Sequence, residues 1–307
     1  MHRRTMWIAV ALMLLATFAV TQAQESHQDY LDIYTVQVKP EKRADFDAIA
    51  KKMVTANRQN KGDTWLAMET SYGPGDRVTF VSTRHSYKEA EEGMNAFYQA
   101  LQKGFGKPGM GKALQEFNQC ITSSHSEFRR RRWDLTSNAP SDAASYAKLV
   151  GTSRWLRTTV VHVKPGQITN FEAEVKELKA ATERSAPSAT ILVSQAVAGQ
   201  EGTVFYFTML QNSLGAYDSV PTTHQILGDE GYEKFLRASA DTVSGTETVI
   251  NRFLPDLSNA TEEIASVAPD YWRPKAAATN TNARTNAGKA SVVNAGAKNK
   301  MEDNTKQ

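Results

Sequence analysis

The chain has 307 residues, with 36 Lys and Arg against 33 Asp and Glu and a formal net charge of +3. The basic excess belongs to the two ends, so the body between them is slightly acidic and composition gives no case for nucleic-acid binding. A single cysteine, Cys120, excludes an intramolecular disulfide and a thiolate metal site. It lies between Phe117 and Ile121, which predicts a small buried hydrophobe instead of a reactive thiol.

Residues 1–23 have the pattern of a secretory signal peptide. Arg3 and Arg4 precede an apolar run over residues 6–20, and Ala23 lies just before the expected cleavage site. A retained membrane anchor is the alternative, but the run is shorter than the roughly 20 residues that cross a bilayer core. We therefore expect a bacterial protein of the periplasm or the medium, with no membrane attachment after cleavage.

Residues 30–136 form a first predicted unit, in which the type of periodicity changes from element to element. Alternating β-branched residues indicate strands, and apolar residues at helical spacing indicate amphipathic helices. A Gly- and Pro-containing turn separates the two middle strands. The predicted elements are a strand at 33–38, a helix at 41–59, strands at 64–71 and 77–83, an interrupted helical region at 88–121 and a strand at 128–135.

Residues 154–258 repeat this unit. The segment VQVKP at 36–40 recurs as VHVKP at 161–165, and Phe80 meets Phe205 at the same spacing. A slightly smaller spacing aligns Arg132 with Arg252. Such self-similarity predicts a tandem duplication. The predicted elements are a strand at 158–163, a helix at 169–184, strands at 190–197 and 203–210, helices over 215–240 and a strand at 246–254.

Three segments lie outside the two units. Residues 137–153 are interpreted as a linker. Residues 259–275 are expected to be an ordered extension, with a helix starting at Thr261 and Tyr271 and Trp272 packed on the barrel. Residues 276–307 contain too few apolar groups to offset the entropy of ordering and are predicted to be a disordered tail.

The order βαββαβ is the ferredoxin-like arrangement, an antiparallel sheet covered on one face by two helices. Two copies solve the problem of the bare sheet face by enclosing it. The predicted class is α+β, with two ferredoxin-like repeats packed sheet to sheet as an intramolecular α+β barrel. On element order and duplication, the chain resembles the dimeric α+β barrel superfamily, which includes antibiotic-biosynthesis-type monooxygenases and NIPSNAP-like proteins. The resemblance implies a monomer that supplies its own partner, with further oligomerisation left open.

Strand alternation selects the candidate site residues. If the valines flanking Gln37 and His162 meet the covering helices, these two polar side chains face the barrel interior from equivalent positions. A satisfied structural pair is the alternative to ligand contact. Trp65, Tyr206 and Thr208 are interpreted either as lining of a small-molecule cavity or simply as core. The candidate ligand-binding residues are Gln37, Trp65, Arg84, His162, Tyr206 and Thr208.

Three hypotheses of function follow. The chain binds a small, largely apolar molecule in the barrel, or it is a cofactor-independent monooxygenase-like enzyme, or it is an assembly module with a filled core. No catalytic residue is assigned and no metal site is predicted, because the histidines are isolated. No cofactor is predicted; the superfamily resemblance leaves haem as an alternative, through His162 or His224.

Overall fold

The computed structural model describes residues 29–274, so the predicted signal peptide and basic tail lie outside the described residues. Alternating β-branched and aromatic residues form eight strands in this part of the chain. The strands are β1 (Tyr30–Val38), β2 (Leu66–Tyr72), β3 (Arg77–Arg84), β4 (Ile121–Arg131), β5 (Trp155–Val163), β6 (Leu192–Ala198), β7 (Thr203–Gln211) and β8 (Val243–Phe253).

Seven α-helices accompany these strands within residues 29–274. The longest, α2, continues across a kink at Gly106, which adopts φ 70°, so the predicted interruption of this helical region is confirmed. The helices are α1 (Arg43–Gln59), α2 (Tyr87–Gln119), α3 (Ala143–Thr152), α4 (Ile168–Ser185), α5 (Thr223–Thr242), α6 (Glu262–Ala265) and α7 (Pro269–Trp272). Among the described residues, no helix is both long and apolar enough to cross a membrane.

The strands close into one antiparallel barrel in the order β1-β3-β2-β8-β5-β7-β6-β4. Each half therefore has the same internal order, β4-β1-β3-β2 and β8-β5-β7-β6, and the halves join through the β2–β8 and β4–β6 pairs. The predicted fold, two βαββαβ units forming an α+β barrel within one chain, is confirmed.

Apolar side chains of the helices pack against the outer face of the barrel. Helices α1 and α2 place Phe46 and Phe117 on Val36 and Val78 of the first half. Helix α4 covers the second half in the same way, with Phe171 on Phe205. Because alternate residues of a strand point to opposite faces, the residues between these buried ones point into the barrel.

Three details differ from the sequence prediction. Strand β4 covers Ile121–Arg131 instead of 128–135, because its first half is polar on both faces and lacks the alternation that signals a strand. The predicted linker contains helix α3, whose first turn is capped by Asp142 accepting from the backbone N–H of Ser145 at 2.7 Å. The last strands of the two halves are β4 and β8. Arg130 of β4 lies opposite Tyr30, and Arg252 of β8 lies opposite Trp155, which is the residue equivalent to Tyr30. Arg252 therefore corresponds to Arg130, and the predicted alignment of Arg252 with Arg132 was wrong by two residues.

Gly199 lies in the turn between β6 and β7, where we expect a substitution to lower the stability of the fold strongly. Its φ is +86°, and an added Cβ would lie 2.3 Å from the backbone oxygen of Ser126 in β4. We expect Gly199→Ala to lower the free energy of unfolding by about 2–4 kcal/mol, measured by urea denaturation, since backbone strain and overpacking combine. Gly202→Ala is the matched control: its φ is +70°, but an added Cβ would meet nothing within 4 Å, so only the conformational cost of about 1–2 kcal/mol applies. Equal losses in the two variants would contradict the close approach.

Candidate ligand-binding site inside the barrel

The barrel encloses a cavity of about 450 Å³. Its lining comes from the inward-pointing residues of the strands, for example Leu31, Ile33, Thr35 and Gln37 of β1. Strands β1 and β5 run in the same direction along the barrel wall, because each adjacent pair between them in the order β1-β3-β2-β8-β5 is antiparallel. The two halves therefore contribute corresponding residues to the same end of the cavity.

One end of the cavity is an apolar floor. Leucines at or near the starts of β1, β2, β5 and β6, which run in the same direction, form one part of it, and residues at the ends of β7 and β8 form the other. Helix α3 covers this floor with Tyr146 and Val150, and Ile264 of α6 closes it further. Trp272 of α7 is fully buried behind Phe253 and donates from Nε1 to the Gly151 carbonyl at 2.9 Å. The floor residues are Leu31, Leu66, Leu156, Leu192, Leu210 and Phe253.

The opposite end is a polar mouth. Gln37 and His162 line it from β1 and β5, and His125 and Glu247 line it from β4 and β8. His125, His162 and Glu247 are exposed, so this end opens to solvent. The Nε2 atoms of His125 and Gln200 lie 3.4 Å apart, and Gln37 donates from its Nε2 to the Gly75 carbonyl at 2.8 Å. The interior is therefore amphipathic along the barrel axis.

Between floor and mouth lies a charged cluster of Glu127, Arg129 and Tyr206, here called the central cluster. The Glu127 side chain is only 3% exposed and accepts from Arg129 Nη2 at 2.7 Å and from the Tyr206 hydroxyl. The Arg129 guanidinium carbon lies 3.3 Å from the centroid of the Tyr206 ring, in cation–π geometry. Burial raises the pKa of the Tyr206 hydroxyl, opposed by the charge of Arg129 and reinforced by that of Glu127, so Tyr206 remains a hydrogen-bond donor at neutral pH.

Two threonine pairs complete the middle of the cavity. The Oγ1 atoms of Thr35 and Thr79 lie 3.1 Å apart, and those of Thr158 and Thr208 lie 3.0 Å apart. Within each pair, the two hydroxyl groups hydrogen-bond to each other across neighbouring strands. These residues give the cavity wall hydrogen-bonding groups without adding net charge.

Five of the six candidate residues line the cavity. Gln37 and His162 lie at the polar mouth, as strand alternation predicts, and Tyr206 and Thr208 lie in its middle. Trp65 borders the cavity, but its ring packs edge-on against Phe97 and its Nε1 donates to the Leu257 carbonyl at 2.8 Å. Its indole N–H is therefore engaged within the fold.

Arg84 does not belong to the cavity, which corrects the prediction. It lies on the outer face of β3, where its guanidinium approaches Gly93 of α2. There Asp63 accepts from Nη1 at 2.7 Å and from Nη2 at 2.5 Å. The repeat contained the information that excludes it, because Phe80 shares a face with Arg84 and aligns with the outward-facing, buried Phe205.

Glu127 and Arg129 were not selected from the sequence. Alternation along the run of arginines at 129–132 does place Arg129 and Arg131 on one face, and both line the cavity. Arg132, on the other face of the chain, is buried and pairs with Asp134 at 2.7 Å and with Glu172 at 2.5 Å. The signal for Glu127 was weak, because polar residues precede it on both faces of the strand.

Haem does not fit the residues present. Haem iron is commonly held by a histidine beside an apolar slot for the macrocycle. His125 and His162 lie at the polar mouth instead, and His224 lies outside the cavity with its Nε2 2.7 Å from Asp229 Oδ1. Within residues 29–274, no three His, Cys, Asp or Glu side chains come together as a metal-binding group.

No protein-family profile matches the chain, and no curated protein sequence matches it significantly. Among solved structures, the chain is similar to an anthrone oxidase-like protein, with 13% identity, a TM-score of 0.46 and coverage of 75% of this chain and 92% of that chain. It is similar to a haem-binding protein from Thermus thermophilus, with 12% identity, a TM-score of 0.43 and coverage of 76% and 93%. It is also similar to chlorite dismutase from Candidatus Nitrospira defluvii, with 11% identity, a TM-score of 0.41 and coverage of 80% and 96%.

Proposed function

We propose that the protein binds a small, largely apolar molecule inside the barrel, in the periplasm or in the medium. The observation that carries this proposal is the cavity of about 450 Å³ with an apolar floor and a solvent-facing polar mouth. Its volume falls within the roughly 300–1,000 Å³ of small-molecule sites, which are mostly apolar with a few placed polar groups. An assembly module with a filled core would leave no such space.

The arrangement of groups supports binding with a defined orientation. Apolar parts of a ligand gain most from leaving water against the leucines of the floor, whereas polar parts need the hydrogen-bonding groups of the wall: the threonine pairs, the mouth and the Arg131 guanidinium beside the floor. The central cluster is held by its own hydrogen bonds, so it presents fixed charges and dipoles to a ligand. Such preorganisation reduces the entropy that binding would otherwise have to overcome.

Filling the cavity tests the proposal. Val160 points into the cavity, and its neighbour Thr159 points away from it, with its Oγ1 3.1 Å from that of Thr248. We expect Val160→Trp to weaken binding of the neutral apolar dye N-phenyl-1-naphthylamine at least about tenfold in a fluorescence titration, because each tenfold corresponds to about 1.4 kcal/mol of lost contact. Thr159→Trp is the matched control and is expected to leave the affinity unchanged.

Equal dye affinity in both variants and in the natural protein would place the dye outside the barrel and contradict the proposal. Native mass spectrometry of the protein from its own host supplies the natural ligand. We expect an added mass that is lost in Val160→Trp and kept in Thr159→Trp.

A further inference from the structure

We infer that the ligand of the barrel carries one anionic group, of the carboxylate type, and that Arg131 binds it. This inference rests on the proposed function and adds the chemical class of the ligand. Its starting point is a difference between the two halves of the barrel. Arg130 and Arg252 occupy equivalent register positions in β4 and β8. The residues that follow them in the chain, Arg131 and Phe253, are therefore equivalent as well. Both line the cavity.

Arg131 brings an unneutralised charge into the cavity. Its guanidinium donates to the Tyr146 hydroxyl and lies 5.5 Å from the Trp133 ring centroid and 5.1 Å from that of Tyr146. No described carboxylate lies within ion-pair distance of it. Arg129, by contrast, is paired with Glu127 at 2.7 Å. The aromatic and hydroxyl contacts hold the Arg131 side chain in position without cancelling its charge.

The remaining charges of the cavity favour an anion at this place. The negative charge of Glu127 is matched by Arg129 within the central cluster, and the other two charged residues of the lining, Arg77 and Glu247, lie at the mouth, the opposite end from the floor. A half-buried cation with free hydrogen-bond donors is therefore the dominant uncompensated group beside the floor. A guanidinium presents donors in a planar fork that matches a carboxylate.

The position of Phe253 fixes the direction of the ligand. Because Arg131 and Phe253 are equivalent by the pseudo-twofold relation of the halves, they face the floor from opposite sides. A carboxylate at Arg131 allows the apolar body to cross the floor leucines toward Phe253. The ligand class is therefore an apolar molecule with a single terminal anionic group, such as a medium-chain carboxylic acid.

Three probes of equal chain length test the inference on the full chain by isothermal titration calorimetry: octanoate, 1-octanol and octylammonium. We expect octanoate to bind about 10- to 100-fold more tightly than octanol, as for a hydrogen bond to a charged group, and octylammonium to bind most weakly. Arg131→Met, which keeps an apolar stem, is expected to abolish the preference for octanoate. Arg131→Lys is expected to keep part of it.

Arg130→Met is the matched control, since Arg130 lies on the same strand but points outward and donates to Gln195 at 3.2 Å. It is expected to retain the preference, and unchanged thermal unfolding establishes that each variant folds. Equal binding of octanoate and octanol, or a preference that survives in Arg131→Met, overturns the inference while the cavity function stands if Val160→Trp still removes binding. Binding of none of the three probes or the neutral dye overturns both.

Discussion

Asp63→Ala is expected to lower the free energy of unfolding by about 3–5 kcal/mol, because it leaves a buried cation without its main partner. The Arg84 side chain is 7% exposed and that of Asp63 is 13% exposed, and two hydrogen bonds join them. Asp32, 3.4 Å from Arg84, is a longer and more exposed contact that cannot replace the lost pair. Urea denaturation followed by circular dichroism measures the change.

A second variant separates loss of the pair from general damage. Combining Asp63→Ala with Arg84→Met removes the unpaired charge, so the double variant is expected to be more stable than Asp63→Ala alone. Glu92→Ala, which breaks the exposed pair with Lys88, is the control and is expected to cause no measurable change. A double variant less stable than Asp63→Ala would show that the pair does not act as a unit.

Trp272→Ala is expected to lower the free energy of unfolding by about 3–5 kcal/mol, the usual range for truncating a large buried aromatic side chain. Trp272 is fully buried, its ring centroid lies 5.2 Å from that of Phe253, and it donates to the Gly151 carbonyl. The variant therefore loses apolar packing and leaves a buried acceptor without its donor. Thermal unfolding should show a correspondingly lower Tm.

The matched control for this prediction is Leu236→Ala in α5, because Leu236 is a large apolar residue that is 49% exposed. We expect it to change the free energy of unfolding by less than about 0.5 kcal/mol. If Trp272→Ala were no more destabilising than Leu236→Ala, the extension would not be part of the folded core and the floor of the cavity would have a different cover.

The fold could be predicted because each local signal agreed with the repeat. The alternation around Gln37 and His162 and the helical spacing of the following segments gave the same order of elements twice. The inward placement of both residues required only that their valine neighbours face the helices, as Val36 and Val161 do. Where local pattern and duplication agree, the sequence contains enough information for the architecture.

The centre of the site depends on contacts that no local pattern reports. Glu127 meets Tyr206 across 79 residues of chain, and Arg84 meets Asp63 in a loop before β2. Polar residues such as Ser123 and His125 face the solvent-exposed mouth of the cavity, so the first half of β4 lacks the apolar alternation that identifies a strand. Helix α3 was missed for another reason: a helix of ten residues is too short to be stable on its own and is stabilised here by Val150 packing on the floor.

A crystal structure of residues 24–307 grown with N-phenyl-1-naphthylamine would show whether the interior of the barrel binds an apolar molecule. We expect density for the dye inside the barrel, between the floor leucines and the two threonine pairs. An interior filled by the protein's own side chains, with the dye absent or bound on the outer surface, would contradict it.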